Sequence, residues 1–178
     1  KPGSGVNGKP VKWRMALDYR MTNDALEKQH YSLKSVRQCV DRLSKSKYYS
    51  SLDMISAFWQ LPLHKNSRAI SAVQFPDGKY EYTCLPMGLQ AASAVFQRNM
   101  DLLLTGLQPE EAISYIDDVC IFGGDTVEEH LIRVARVLDR VGGAGYTLRP
   151  DKSYLCQTSI EWLGFRIGGG MIRPDDSK

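Results

Sequence analysis

The sequence predicts an α+β domain built on one antiparallel sheet with its helices on one face. Three observations predict it. Strand and helix periodicities alternate between residues 48 and 148 in the order strand, helix, strand, strand, helix, strand. Short clusters of turn residues separate them. Two adjacent acids, Asp117 and Asp118, sit at a bend between two strongly apolar runs.

The elements follow in order. Residues 1–10 hold three glycines and two prolines and read as a flexible segment. Val11, Trp13, Met15, Leu17 and Tyr19 alternate with Lys12, Arg14 and Asp18, the pattern of a half-exposed strand with its basic residues on one face. Leu33, Val36, Val40 and Leu43 recur at helical spacing after Ser32, a candidate N-cap. Residues 48–54 read as a strand. P-D-G-K at residues 76–79 turns a hairpin between residues 71–75 and 80–85. Residues 91–104 form a helix with Val95, Phe96, Met100, Leu103 and Leu104 apolar. Residues 112–116 and 119–122 flank the acidic bend.

Thr126 and Glu129 form a capping box for a helix that Gly142 and Gly143 end. A strand at residues 146–148 closes the unit, and a last hairpin, 160–167 with 171–173, turns at Gly168, Gly169 and Gly170. With the 71–85 hairpin set aside, the order is βαββαβ, the split βαβ arrangement of ferredoxin-like domains. Right-handed crossovers place the first strand in mid-sheet, antiparallel to the third. Its C-terminal Asp53 then meets the bend that carries Asp117 and Asp118.

Composition narrows the function. A chain of 178 residues, 43% hydrophobic and 24% charged, builds one packed core and is neither disordered nor fibrous. Apolar runs stop short of membrane-spanning length and no leader opens the chain, so a soluble intracellular protein is expected. Cys39, Cys84, Cys120 and Cys156 lie far apart and read as free thiols, and His30, His64 and His130 are too scattered for a histidine metal site. Residues 1–50 carry eleven Lys and Arg against four acids, while the rest of the chain is net acidic. A basic segment of this kind suits a polyanion such as nucleic acid or a triphosphate, or it is a solvated charged face.

Three carboxylates packed together repel unless a cation stands among them. Oxygen ligands without His or Cys favour Mg²⁺, which shares its coordination with substrate phosphates. Two such ions about 4 Å apart can activate a 3′-hydroxyl and stabilise leaving pyrophosphate. Read alone, each Asp is equally a turn residue.

Six motifs in order carry a resemblance: L-D-Y-R-M-T-N (17–23), S-L-D-M-I-S-A-F-W-Q-L (51–61), L-P-M-G-L-Q-A-A-S-A-V-F-Q (85–97), Y-I-D-D (115–118), G-Y-T-L-R-P-D-K (145–152) and W-L-G-F (162–165). Together they resemble the palm and part of the fingers of reverse transcriptases, nearest the retroviral and gypsy-type LTR retrotransposon enzymes. The resemblance implies a right-hand polymerase architecture: partial fingers over 11–47, palm over 48–70 and 86–158, a fingers–palm hairpin over 71–85, and a primer-grip hairpin over 159–178. It implies RNA-directed DNA synthesis by two Mg²⁺ ions, with Mn²⁺ a substitute, on an RNA or DNA template with a primer and deoxynucleoside triphosphates.

Carried over by position, the resemblance makes Asp53, Asp117 and Asp118 metal ligands, with the Met54 backbone adding an oxygen. Arg14, with Lys9 or Lys12, would hold the triphosphate. Ser56, Ala57, Phe58 and Met87 would line the nucleotide site, with Phe58 as a gate against a ribose 2′-hydroxyl. Lys152 would be a general acid toward pyrophosphate. Gly88, Gln90, Tyr115, Ile116, Trp162, Leu163 and Gly164 would meet template or primer. Phe58 and Trp162 read equally as core aromatics, and Lys152 as a surface lysine.

Met87 departs from the Gln or Phe of related enzymes, and Ala92 and Ser93 from a small residue and proline. The resemblance places thumb, connection and ribonuclease H segments beyond Lys178 in a parent polyprotein, so the isolated chain is expected to be weakly active or inactive. It also implies a cytoplasmic location, in virus-like particles, or a nuclear one. Two rivals stand beside the polymerase. One is a non-catalytic or domesticated palm that binds nucleic acid or a protein partner. The other is an RNA-dependent RNA polymerase, against which Phe58 and L-P-M-G speak.

Overall fold

The computed structural model describes residues 17–27 and 31–175. Lys9, Lys12, Arg14, His30 and most of the predicted 11–19 strand lie outside the described residues. Residues 17–19 are not strand but lead into a short helix, α1 (Arg20–Ala25). Then come α2 (Val36–Leu43), β1 (Tyr49–Asp53), the hairpin β2 (Val73–Phe75) and β3 (Gly78–Tyr80), α3 (Ala92–Leu103), β4 (Ala112–Tyr115), β5 (Asp118–Phe122) and α4 (Val127–Gly143). β6 (Tyr154–Gln157), β7 (Ser159–Trp162), β8 (Phe165–Gly168) and β9 (Met171–Pro174) complete the strands among the described residues.

The central sheet has the order β4-β5-β1-β6 and every pairing in it is antiparallel. This is the βαββαβ topology expected from the sequence, with the first strand in mid-sheet beside the third. α3 and α4 cover one face, where Leu52, Val119 and Ile121 meet Phe96, Met100, Val134, Val137 and Val141. α2 and the separate sheet β7-β8-β9 cover the other, where Tyr49, Cys120 and Phe122 meet Val40, Leu43, Ile160, Trp162 and Ile167. Alternation along β1 and β5 sends successive residues to opposite cores, because side chains in a strand point to alternate faces.

Four details differ from the sequence reading. The closing strand is β6, not residues 146–148. Leu148 makes only an isolated bridge to Met54, and Pro150, which has no N–H to give to a ladder, opens a 3₁₀ turn (Pro150–Lys152) before pairing resumes. α2 starts a turn later than Leu33, with Ser35 rather than Ser32 preceding it, because Tyr31 and Lys34 reach across to Asp101 on α3. Gly142 and Gly143 remain helical at the end of α4, and Gly145 supplies the left-handed residue, φ +81°, that turns the chain away. The predicted strand through 160–167 breaks at Leu163 and Gly164, whose φ of +50° and +81° make a tight turn between β7 and β8.

At the start of α4, Thr126 Oγ1 accepts from Glu129 N at 3.2 Å as a capping box requires, while the Glu129 carboxylate takes the Asp125 N–H rather than that of Thr126. His130 is fully buried and satisfied: Nδ1 donates to the Gly123 carbonyl at 2.7 Å, so Nε2 accepts from Ser50 Oγ at 2.8 Å. Burial holds its pKa below the ordinary histidine value. His64 caps a 3₁₀ turn by accepting from Asn66 N. All four cysteines are free; Cys39 and Cys120 are buried, Cys84 and Cys156 half-buried.

Candidate active site

Register assembles the site. β1 pairs with β5 so that Asp53 lies opposite Asp118, and β4 pairs with β5 so that Tyr115 also lies opposite Asp118, leaving Ile116 and Asp117 as a two-residue turn. Directly opposed residues share a face with Cβ atoms about 4.5–5.5 Å apart, so the Asp53 and Asp118 side chains stand side by side. Asp117 follows at the tip. The three aspartates predicted from the sequence therefore lie at the same end of the sheet.

The turn is strained. Ile116 has φ +55°, which a β-branched residue avoids, and a buried glutamine on α3 holds it there. Gln97 Oε1 accepts from Ile116 N at 2.7 Å, while its Nε2 lies within hydrogen-bond distance of the Ser114 carbonyl at 3.2 Å and of Asp101 Oδ1 at 3.0 Å. Asp101 also accepts from Lys34 at 2.7 Å and from Tyr31 at 2.6 Å. Burial raises the Asp101 pKa, but the hydrogen bonds from Lys34 and Tyr31 outweigh it and the net shift is downward. A polar chain thus runs from the segment before α2, through α3, to the acidic turn.

A second set of bonds fixes Asp53. Its N–H donates to Ser153 Oγ at 3.2 Å, and its carbonyl accepts from Arg149 N at 2.7 Å. The Ser153 hydroxyl donates in turn to the Arg149 carbonyl at 2.8 Å. Residues 149–153 clasp the end of β1 from the other side of the sheet. Asp53 Oδ2 is buried with no hydrogen-bond partner, and the Arg149 Nε lies 3.6 Å away, an ion pair too long for a hydrogen bond.

Two cavities open on this junction and share Asp53 and Lys152. One, a cleft of about 660 Å³, is lined by Asp53, Met54, Ser56, Ala57, Phe58, Met87, Asp117, Arg149 and Lys152, with Trp59, Tyr82 and Cys84 completing its wall. The nucleotide set predicted from the sequence is thus together, apart from Lys9, Lys12 and Arg14, which lie outside the described residues. Phe58 packs its ring on Phe96 at 5.3 Å, as a core aromatic would, and it also lines the cleft. The other, of about 340 Å³, takes in Asp118, Tyr154, Glu161, Trp162 and Leu163 on the opposite side of Asp53.

The remaining template and primer positions separate. Trp162 is buried and its Nε1 has no partner, while Leu163 and Gly164 form the β7–β8 turn. Tyr115 packs beneath the sheet on the α2 side. Gly88 and Gln90 are exposed and held by Asn23 of α1, whose side chain donates to the Gly88 carbonyl at 2.9 Å and accepts from Gln90 N at 2.8 Å. Gly88 has φ +99°, and a Cβ there would press to 3.2 Å from the Tyr19 ring, so the loop requires glycine. Asn23, Gln97, Arg149 and Ser153 were not singled out as site residues by the sequence. Asn23, Gln97 and Arg149 lay inside recognised motifs, the one signal that pointed toward them, and Ser153 lay outside them.

The sequence profile of the reverse transcriptase (RNA-dependent DNA polymerase) family matches residues 1–167. The chain belongs to that family. Among curated relatives, it is 32% identical over 176 residues to the retrovirus-related Pol polyprotein from transposon 412 of Drosophila melanogaster, covering 98% of the chain and 14% of that protein. It is 36% identical over 159 residues to the enzymatic polyprotein of Soybean chlorotic mottle virus, covering 89% of the chain and 23% of that protein. The chain therefore spans well under a third of these relatives. In structure it resembles a foamy viral protease-reverse transcriptase in complex with double-stranded DNA, with TM-score 0.85 and 30% identity over 94% of the chain and 29% of the other. A foamy viral protease-reverse transcriptase in complex with an RNA/DNA hybrid gives TM-score 0.84 and 30% identity over 92% of the chain and 22% of the other.

Among the described residues of this reverse-transcriptase domain, no three His, Cys, Asp or Glu side chains converge closely enough to hold a metal ion as they stand. The donor set still fits a hard divalent cation: oxygen ligands only, one of them a buried carboxylate oxygen without a hydrogen bond.

The turn's dependence on Gln97 is testable. Gln97→Leu strands the Ile116 N–H and a Ser114 carbonyl contact in a dry site, where each unsatisfied group costs about 1–3 kcal/mol. Urea unfolding is expected to show about 2 kcal/mol of lost stability, against less than about 0.5 kcal/mol for Arg98→Leu at the exposed neighbouring position. Equal stability of the two variants would remove Gln97 from this role.

Proposed function

We propose that this chain is the catalytic core of an RNA-directed DNA polymerase, adding deoxynucleotides to a primer 3′-hydroxyl. The observation that carries the reading is the in-register pairing of Asp53 with Asp118, with Asp117 in the adjoining turn, where Asp53 and Asp117 line a cleft that also holds Phe58 and Lys152. Relatives solved with double-stranded DNA and with an RNA/DNA hybrid support nucleic acid as the partner. The template and primer, the deoxynucleoside triphosphates and the flanking segments of a polyprotein belong to this proposal.

Asp53, Asp117 and Asp118 would hold two Mg²⁺ ions, with Mn²⁺ a substitute and the Met54 backbone a further oxygen. Bound there, the ions would activate the attacking hydroxyl and neutralise the triphosphate. The chain's own groups do the rest. Ile116 and Asp117, pinned by Gln97, present the carboxylate at a fixed place, and preorganisation of this kind avoids reorganisation during reaction. Phe58, braced on Phe96, sits on the cleft wall where its ring would exclude a ribose 2′-hydroxyl. Lys152, at the end of the 3₁₀ turn, faces the same cleft and would give a proton to departing pyrophosphate. Trp162, Leu163 and Gly164 would support the primer from the second cavity, and Gly88 and Gln90 the template, with Arg14 and Lys9 or Lys12 on the triphosphate.

Primer extension on an RNA template at low salt and high protein concentration tests the reading. Incorporation in Mg²⁺ or Mn²⁺ is expected from the unmodified chain, lengthened C-terminally if a longer piece is needed to hold the primer, and should fall at least a hundredfold in Asp117→Asn and Asp118→Asn. Activity surviving both changes would show that the site is assigned wrongly. In the same assay Phe58→Ala is expected to raise ribonucleotide incorporation at least tenfold relative to deoxynucleotide, and unchanged discrimination would take Phe58 out of the gate.

A further inference from the structure

Asp53 Oδ2 is the buried carboxylate oxygen that a metal ion would need, and Arg149 stands against it at 3.6 Å. A guanidinium and a divalent cation repel each other, so both cannot occupy that side of the carboxylate. Resting on the polymerase reading above, we propose that Arg149 is a competing cation. It holds Asp53 until a divalent ion arrives, then releases it and takes the phosphate tail of the incoming nucleotide.

The local structure allows that exchange and little else. The Arg149 backbone is fixed: its N–H donates to the Asp53 carbonyl at 2.7 Å, its carbonyl accepts from Ser153 Oγ at 2.8 Å, and Pro150 confines it to extended geometry, φ −103° and ψ 101°. Only the side chain can move. It is about a third exposed, at 34%, and lines the cleft that Asp117, Phe58 and Lys152 also line. A single long contact between partly exposed groups is a weak ion pair, easily given up. A guanidinium released there meets the one substrate feature suited to its planar fork, a phosphate presenting two oxygens.

A purely structural salt bridge is the competing explanation, and the two part in metal binding without catalysis. Mn²⁺ is titrated into the metal-free folded chain and free Mn²⁺ read by electron paramagnetic resonance, with circular dichroism melts confirming the fold of each variant. Arg149→Gln is expected to bind Mn²⁺ at least threefold tighter than the parent, with Arg149→Lys between them. The gain should exceed that of Lys152→Gln, which removes the same charge from the same cleft. At saturating Mn²⁺, Arg149→Gln is expected to bind the manganese complex of inorganic tripolyphosphate at least threefold more weakly than the parent.

An unchanged or weaker Mn²⁺ affinity in Arg149→Gln, a gain no larger than that of Lys152→Gln, or undiminished tripolyphosphate binding overturns the proposal. Asp53→Asn separates this failure from that of the site itself. If Asp53→Asn loses Mn²⁺ binding while Arg149→Gln behaves as the parent, only the role of Arg149 falls. If Asp53→Asn binds Mn²⁺ as the parent does, the metal is not at Asp53, and both readings fall together.

Discussion

The antiparallel register of β1 on β5 governs the rest of the molecule. Paired residues point to the same face, so Tyr49 with Phe122 and Ser51 with Cys120 go to the α2 side, while Leu52 with Val119 goes beneath α3 and α4. Asp53 with Asp118 falls at the end of this ladder. A slip of one residue would turn β5 over, exchange its contributions to the two cores and move Asp118 to the face opposite Asp53, so burial of both faces makes the register strongly specified. The same packing that stabilises the sheet thereby sets two like charges side by side. That placement is costly on its own and is sustained by the cores behind it.

Around this point the chain invests polar groups where a structural domain would place apolar ones. Gln97 and Asp101 carry a hydrogen-bonded path through α3 to the Ile116 turn, and residues 149–153 clasp Asp53 through its backbone. Phe96 links the two roles, since it lies at the centre of the helix-side core and also braces Phe58 at 5.3 Å and Tyr146 at 6.2 Å. Burying a side chain of that size contributes about 1.5–3 kcal/mol. Stability of the core and shape of the cleft wall are consequently not separable at this residue.

Strand order, the central hairpin and the meeting of Asp53, Asp117 and Asp118 were legible because period-2 and period-3.6 patterns are strong in β1, β5, α3 and α4, and handedness then leaves one arrangement. What was not legible depended on single distant contacts. Lys34 is drawn to Asp101, 67 residues away, and shortens α2, which no local propensity encodes. Leu163 takes a positive φ that its residue type disfavours, so an apolar run read as one strand folds as two. The closing strand moved from 146–148 to β6 because Pro150 interrupts the ladder in between. Gln97 stood in the sequence as one more residue of the 91–104 helix and Arg149 carried no assigned role, until the fold set them beside Ile116 and Asp53.

The central claim is that divalent metal binds where β1 ends against the β4–β5 turn, and paramagnetic broadening of backbone amide signals by substoichiometric Mn²⁺ tests it most directly. Broadening centred on residues 53, 54, 117 and 118, fading with distance along β1 and β5, is the predicted result. Broadening centred elsewhere, or none at concentrations that support related polymerases, would contradict the account.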